Sequence, residues 1–192
     1  MSLSVRIQDH FQASAQAIQE GMPALEEPIE QAVQVLTECL MGAGKILVCG
    51  QGALGLAARH MAAILADRFE QDRPGLAAIA LERDGAALMD DADPVLGLAR
   101  QVAALGQPGD ALVALSIFGG TDLVREAVRM AHERDMRVVA LTGGDGGPLA
   151  EMLVEQDVLI CVPTSSVPRI IETQFLVIHC LCDGIDYFLL GA

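Results

Sequence analysis

Lys45-Ile-Leu-Val-Cys49 is a short apolar run that is followed by glycine and then by a helical stretch over about residues 54–68. The same alternation of apolar run and helix recurs along the rest of the chain. The later runs are Ala77–Leu81, Ala111–Leu115, Arg137–Leu141 and Asp157–Cys161. Continuous apolar runs separated by amphipathic helices are typical of strands buried on both faces. The pattern predicts an α/β fold, a doubly wound, five-stranded parallel sheet with right-handed crossovers.

Two amphipathic helices are predicted before the first strand. Residues 3–20 and 26–41 carry apolar side chains at helical spacing, and Gly-Met-Pro at 21–23 interrupts them. We interpret residues 1–43 as a helical extension and residues 44–192 as an α/β core, together one domain covering 1–192. The later helices are predicted near 95–105, 122–134, 148–154 and 168–190.

Composition and charge exclude several classes of protein. The chain has 192 residues, of which 52% are hydrophobic, and a net charge of −14. An acidic surface repels phosphate backbones, so we expect no direct nucleic-acid ligand; a basic protein partner or simple solubility would both fit. We find no signal peptide and no unbroken apolar stretch of membrane-spanning length, so we expect a cytoplasmic protein that binds no membrane.

The cysteines have mostly apolar neighbours and form no CxxC pair. This pattern favours buried thiols in a reducing compartment over disulfides or a zinc site. The five residues are Cys39, Cys49, Cys161, Cys180 and Cys182.

The loops after the strands are the expected ligand site. In open α/β sheets, ligands bind at the carboxyl ends of the strands, where the strand order reverses. The loops at that edge are Gly50–Leu54, Glu82–Pro94, Ser116–Thr121, Thr142–Gly147 and Pro163–Pro168.

The first of these loops is rich in glycine. Gly50, Gly52 and Gly55 fit the spacing G-x-G-x-x-G, and glycines let a backbone approach an anion at a helix start. However, Leu81 and not an acidic residue ends the second predicted strand, which weakens the dinucleotide interpretation. A tight strand-to-helix turn remains the alternative.

Two later loops carry further candidates. Ser116 and Thr121 offer the small hydroxyls that suit a phosphate, and Gly119 lies between them. Asp122 at the following helix start would repel an anion and fits a capping role. Asp145 is expected to bond nearby backbone in its loop, with a substrate-side role as the alternative.

Two histidines lie on predicted helices after the first and fifth strands. His60 and His179 could bind a metal or move protons, or they could be histidines of the core or an interface. On the last helix, Arg169 and Glu172 are three residues apart and would pair.

Four segments together resemble the phosphoheptose isomerase family of SIS domains. They are CGQG at 49–52 with RFEQDRPGLAAIAL at 68–81, ALGQPGDALVALS at 104–116, VVALTGGDGGPLA at 138–150, and the helix that opens with Arg169 and closes with VIHCLCD at 177–183. The ending CLCD resembles the branch that associates with the bacterial replication initiator DnaA. The resemblance implies a flavodoxin-like sheet and a homotetramer with sites between subunits.

The resemblance also implies chemistry. Active members isomerise sedoheptulose 7-phosphate, using a helix glutamate and a histidine as base and acid. In many members zinc is held by His, Glu, Gln and His. The two histidines match His60 and His179, but the glutamate falls on Ile64 and the glutamine on Ile171. Isoleucine neither binds metal nor carries a proton, so we expect no cofactor, with zinc only if the isomerase alternative holds.

The losses favour a non-catalytic protein that binds DnaA and regulates replication initiation. Its partner surface would include Leu189 and Leu190, unless that last helical turn packs into a tetramer. The alternative is a phosphoheptose isomerase, with His179 and Glu172 as catalytic residues, or a sugar-phosphate-binding protein. The ligand-binding candidates are Gly50, Gln51, Gly52, Ser116, Gly119, Thr121 and Asp145.

Overall fold

Five parallel strands form one sheet. The computed structural model describes residues 2–82 and 93–191. The strands are β1 (Ile46–Gly50), β2 (Ala78–Leu81), β3 (Ala111–Leu115), β4 (Arg137–Gly143) and β5 (Val158–Val162). Their order is β2-β1-β3-β4-β5, and every neighbouring pair is parallel. The predicted doubly wound α/β fold is confirmed.

Helices cover both faces of the sheet, and alternate strand residues enter the two resulting cores. The helices are α1 (Leu3–Met41), α2 (Ala53–Ala66), α3 (Gly97–Leu105), α4 (Asp122–Glu133), α5 (Gly147–Ala150) and α6 (Val167–Leu190), and a 3₁₀ turn (Pro94–Leu96) precedes α3. Side chains of α1, α2 and α6 pack with Val48 and Val113 on one face. Side chains of α3, α4 and α5 pack with Leu47 and Leu112 on the other.

The N-terminal extension is a single helix of 39 residues, so the predicted break at 21–23 is wrong. Pro23 and Pro28 both lie inside this helix, where each proline costs about 3 kcal/mol. Packing of the C-terminal half of α1 offsets that cost, since Leu25 and Leu36 are buried in the core. Gly21 is buried within the helix beside Pro163, where a Cβ atom would make ordinary van der Waals contact at 3.5 Å.

The N-terminal half of α1 is largely exposed and packs little against the rest of the chain. Leu3 and Phe11 are 74% and 75% exposed. This half is tied to α6 by polar contacts: Arg169 Nη1 donates to the His10 carbonyl at 2.7 Å, and Ser14 donates to Glu172 at 2.7 Å. Apolar side chains of α1 are therefore left facing outward.

Helix α6 is long and apolar enough to cross a membrane by length and composition. The sequence expectation counted only unbroken apolar runs and missed it, because a few charged residues interrupt this helix. The structure uses α6 as a core helix: Ile178, Leu181 and Ile185 are completely buried against the sheet and α1.

The cysteines are all free thiols, and they differ in burial. Burial raises the pKa of Cys49 and of Cys182 to about 12, as expected for inert core thiols. Cys39 is also buried and Cys161 is half-buried. Cys180 is exposed, so the expectation of burial is wrong for that residue, which lies on the outer face of α6.

Candidate functional site

The order of the strands reverses between β1 and β3, and a cavity lies at their carboxyl ends. In the β1–β3 register Gly50 pairs with Leu115, which places the loops after these two strands side by side. The cavity has a volume of about 490 Å³. Its lining includes Gln51, Gly52, Leu54, Ser116, Phe118 and Thr121. This is the position at which ligands bind in open α/β sheets.

The first loop makes a tight turn into α2. A Cβ atom at Gly50 would collide with the Leu54 backbone, and Gly52 has a φ of +61°. The tight turn therefore explains the glycines without a bound dinucleotide, which was the alternative interpretation of this motif. Helix α2 begins without a side-chain cap. The N–H groups of Leu54 and Gly55 donate to the carbonyls of Gln51 and Gly52, so the helix start offers an anion chiefly the positive end of the helix dipole.

A smaller polar cavity of about 250 Å³ adjoins this turn. It is lined by Gly50, Gln51 and Gly52 and by an ion pair in which Arg59 Nε lies 2.8 Å from Glu82 Oε1. Arg59 was not predicted as a site residue, although it directly precedes the candidate His60 in the sequence. Residues 83–92 of the expected ligand loop Glu82–Pro94 lie outside the described residues.

The serine of the loop after β3 makes a hydrogen bond within that loop. Ser116 is buried, and its Oγ accepts a hydrogen bond from the Gly119 N–H at 3.0 Å. The Ser116 carbonyl accepts from Gln174 Nε2 at 2.9 Å, which ties this loop to α6. Gln174 was missed, although its place one turn after Ile170 and one turn before Ile178 puts it on the buried face of α6.

The loops after β3 and β4 interlock through glycines. A Cβ atom at Gly119 would collide with the Gly146 carbonyl, and one at Gly147 with the Phe118 carbonyl. Asp145 makes the predicted backbone bond, since its Oδ1 accepts from the Gly147 N–H at 3.1 Å. These contacts hold the two loops together at the edge of the cavity.

The rim of the cavity is of mixed polarity. Phe118 is 41% exposed and places an aromatic ring at the cavity that it lines. Thr121 precedes α4 and makes no side-chain capping bond there, which leaves its hydroxyl to the cavity that it lines. The predicted capping role of Asp122 is wrong, because Thr121 is the N-cap residue and Asp122 pairs with Arg125 within the first turn of α4.

His60 on α2 and His179 on α6 contact each other directly. Their Nε2 atoms are 2.8 Å apart and their ring centroids 5.1 Å apart. Phe175 lies 5.7 Å from the His60 ring and Phe69 lies 5.6 Å from the His179 ring. Burial, followed by the neighbouring His179, lowers the pKa of His60. His60 therefore favours the neutral imidazole.

The surroundings of this pair do not match a zinc centre. Ile64 and Ile171 are half-buried side chains packed against the same core cluster as the two phenylalanines. Within residues 2–82 and 93–191, no group of three or more His, Cys, Asp or Glu side chains could hold a metal ion. Two imidazoles beside aliphatic side chains fall short of the four ligands of a structural site or the three of a catalytic one.

The predicted catalytic pair is not brought together within the chain. Glu172 accepts from Ser14 and, at 2.8 Å, from Arg169, so the predicted Arg169–Glu172 pair is present. His179 lies seven residues further along α6, which is about 10 Å along the helix axis. Both carboxylate oxygens of Glu172 thus accept hydrogen bonds, and the bond from Ser14 joins α1 to α6.

The last turn of α6 separates the two leucines of the predicted partner surface. Leu190 is 42% exposed, whereas Leu189 packs against the core. Beside them, Tyr187 and Phe188 line an apolar groove of about 790 Å³ between α1 and α6, together with Met22 and Leu176. This groove was not predicted, although the spacing of apolar residues on the first helix indicated an apolar face there.

Comparison with known proteins identifies the family. Residues 10–143 match the SIS domain family. The phosphoheptose isomerase of Thiobacillus denitrificans is 50% identical over 194 residues, covering 100% of this chain and 98% of the relative. That of Azoarcus sp. is 48% identical, covering 100% of this chain and 98% of the relative.

Solved structures agree with these relatives. The phosphoheptose isomerase of Neisseria gonorrhoeae superposes with a TM-score of 0.89 at 44% identity, covering 96% of this chain and 99% of that one. That of Francisella tularensis gives 0.92 at 40% identity, covering 97% and 99%. These similarities do not support the DnaA-associating branch inferred from the CLCD ending, nor the inference that the protein is not an enzyme. The chain belongs to the SIS-domain phosphoheptose isomerase family.

Proposed function

We propose that this protein binds a sugar phosphate in the cavity between the ends of β1 and β3, and that sedoheptulose 7-phosphate is the first sugar phosphate to test. The observation that carries the proposal is this cavity at the switch point of the sheet, beside the uncapped start of α2. Full-length relatives at 48–50% identity that are named phosphoheptose isomerase support the choice of ligand.

The groups around the cavity suit an anion with a polar body. The start of α2 offers the positive end of the helix dipole. Gln51 and Thr121 add an amide and a hydroxyl at the lining. The Ser116 hydroxyl accepts from the Gly119 N–H and keeps its own proton to donate at the cavity that Ser116 lines.

Isomerase activity is the narrower form of this proposal. Moving a proton between adjacent carbons needs a group that can accept and return it, and the candidates in this chain are His179 and Glu172. The name of the relatives favours this activity. The aliphatic Ile64 and Ile171 beside the histidines oppose it within a single chain.

Calorimetric titration with sedoheptulose 7-phosphate tests the binding proposal. We expect saturable binding, with sedoheptulose and inorganic phosphate as control ligands that bind more weakly. The Thr121→Val variant, which keeps the shape of the side chain and removes its hydroxyl, should lose about 3- to 10-fold in affinity. Absence of binding by the unaltered protein would overturn the proposal.

A turnover assay separates an enzyme from a binding protein. Conversion of sedoheptulose 7-phosphate by the unaltered protein, abolished in His179→Gln, would establish the isomerase. Saturable binding without conversion would instead establish a sugar-phosphate-binding protein.

We also infer that a second copy of this chain covers the α1–α6 groove and that four copies assemble, as the family resemblance implies. The groove is apolar, and the exposed side chains Leu3 and Phe11 continue along α1 beyond it. Apolar surface of this extent on a helical pair is typical of an interface between subunits.

A further inference from the structure

We propose that His60 and His179 form a metal-free, hydrogen-bonded pair that joins α2 to α6 at the place where the family resemblance implies zinc. The distance of 2.8 Å between the two Nε2 atoms is the central observation. The pair connects the two helices through one hydrogen bond. The proposal is independent of whether a sugar phosphate binds in the cavity between the ends of β1 and β3.

A direct hydrogen bond and chelation exclude each other at these atoms. In the bond, one ring carries a proton on Nε2 and donates it, while the other ring accepts with its Nε2 lone pair. Two neutral rings bonded in this way carry opposite tautomers. A tetrahedral zinc ion would need both lone pairs, with no proton between them, and would hold the two nitrogens about 3.3 Å apart.

The residues around the pair make a bound cation unfavourable. Ile64 follows His60 by one helical turn, and Ile171 precedes His179 by two turns, so each lies on the same face of its helix as a histidine. Rings of Phe69 and Phe175 lie beside the pair. A divalent ion there would have two neutral ligands and no carboxylate among the described residues to offset its charge.

Metal analysis and NMR test the pair in the unaltered protein. After expression in zinc-supplemented medium, the purified protein should contain no stoichiometric zinc and should show no saturable binding of added zinc chloride. Long-range ¹H–¹⁵N spectra should show one Nε2–H and one Nδ1–H tautomer for the two residues, assigned with His60→Gln and His179→Gln. Stoichiometric zinc that is lost in His60→Gln would overturn the proposal, as would two Nδ1–H tautomers.

A double variant tests whether the aliphatic residues exclude the metal. Ile64→Glu with Ile171→Gln supplies two oxygen ligands at half-buried positions. We expect its zinc affinity to exceed that of the unaltered protein by at least about 100-fold. Ile64→Leu with Ile171→Leu is the matched control and should bind no zinc.

Equal zinc binding by the two double variants, both folded by circular dichroism, would contradict the assigned role of the isoleucines. If the double variant with polar residues fails to fold, the single variant Ile64→Glu replaces it, with zinc-dependent thermal stabilisation as the readout. Sugar-phosphate binding is measured separately, so failure of one proposal leaves the other standing.

Discussion

Gln174 shows how one residue connects the core to the ligand loop. It is fully buried on α6 and donates to the Ser116 carbonyl, while its Oε1 has no hydrogen-bond partner among the described residues. A buried amide oxygen without a partner destabilises the fold, so the bond through Nε2 is what makes glutamine acceptable here. A sequence pattern places Gln174 on the buried face of a helix, but cannot show which distant carbonyl it reaches.

Replacing Gln174 by methionine removes the donor and keeps most of the volume, so we expect a loss of about 1–3 kcal/mol in the free energy of unfolding. Gln174→Glu should cost more at neutral pH, because a buried carboxylate is desolvated and cannot donate to Ser116. Burial raises the pKa of such a glutamate in the folded state. Its extra cost is therefore present at high pH and should shrink as pH falls and the acid regains a proton.

Urea unfolding at several pH values measures both effects. Equal stability of the methionine variant and the unaltered protein would contradict the role of the bond. A glutamate variant whose deficit does not depend on pH would contradict the assignment of that deficit to a buried charge.

At the scale of elements, the strands were predictable and the first helix was not. The five apolar runs predicted the strands to within two residues at each end, because burial on both faces leaves a continuous apolar signature. The break predicted at 21–23 failed because local propensity was outweighed by packing of α1 against α6 and β5. The contact between His60 and His179 depends on how two helices are placed, which no local pattern records.

A buried ion pair fixes α6 to the segment after α2. Arg73 Nε lies 2.5 Å from Asp186 Oδ1, with the side chains only 1% and 5% exposed. Arg73 also donates to the carbonyls of Ile64 and Leu65, near the C-terminal end of α2. These bonds satisfy acceptors that the helix end leaves free and hold α2 beside α6.

Breaking this pair from one side should be costly. We expect Asp186→Asn to lose about 3–5 kcal/mol in the free energy of unfolding, since it leaves the buried Arg73 charge without its counter-ion. The double variant Arg73→Met with Asp186→Leu should lose less than the sum of the single variants Arg73→Met and Asp186→Leu, because it leaves neither charge behind. Chemical unfolding of this double-mutant cycle gives the coupling energy, and additive losses would contradict a direct interaction.

For the whole molecule, the surface between α1 and α6 determines the assembly that we expect. The groove contains Met22, Leu176 and Phe188, which are 63%, 41% and 50% exposed in the single chain. Burying such side chains between copies stabilises an assembly by roughly 25 cal/mol per Å² of apolar surface. The family resemblance implies the tetramer, whereas the groove itself became visible only in the structure.

Charging this groove should dissociate the assembly. In multi-angle light scattering, we expect the unaltered protein at about four times the chain mass of 20.2 kDa and Phe188→Glu at a smaller mass. Val154→Glu is the matched control, because Val154 is 55% exposed and lies outside the groove. A monomeric unaltered protein, or dissociation of the control to the same extent, would contradict the proposed interface.

The two prolines inside α1 make the middle of this long helix the place where it bends most easily. Pro23 and Pro28 have no backbone N–H to donate. The carbonyls of Gln19 and Ala24 therefore lack their usual partners in the middle of α1. Without the packing of α6 and the sheet against it, α1 would bend where these backbone hydrogen bonds are missing before it frayed elsewhere. In the proposed assembly, heating or dilution that separates the copies should therefore let the first half of α1 bend away while the sheet stays intact.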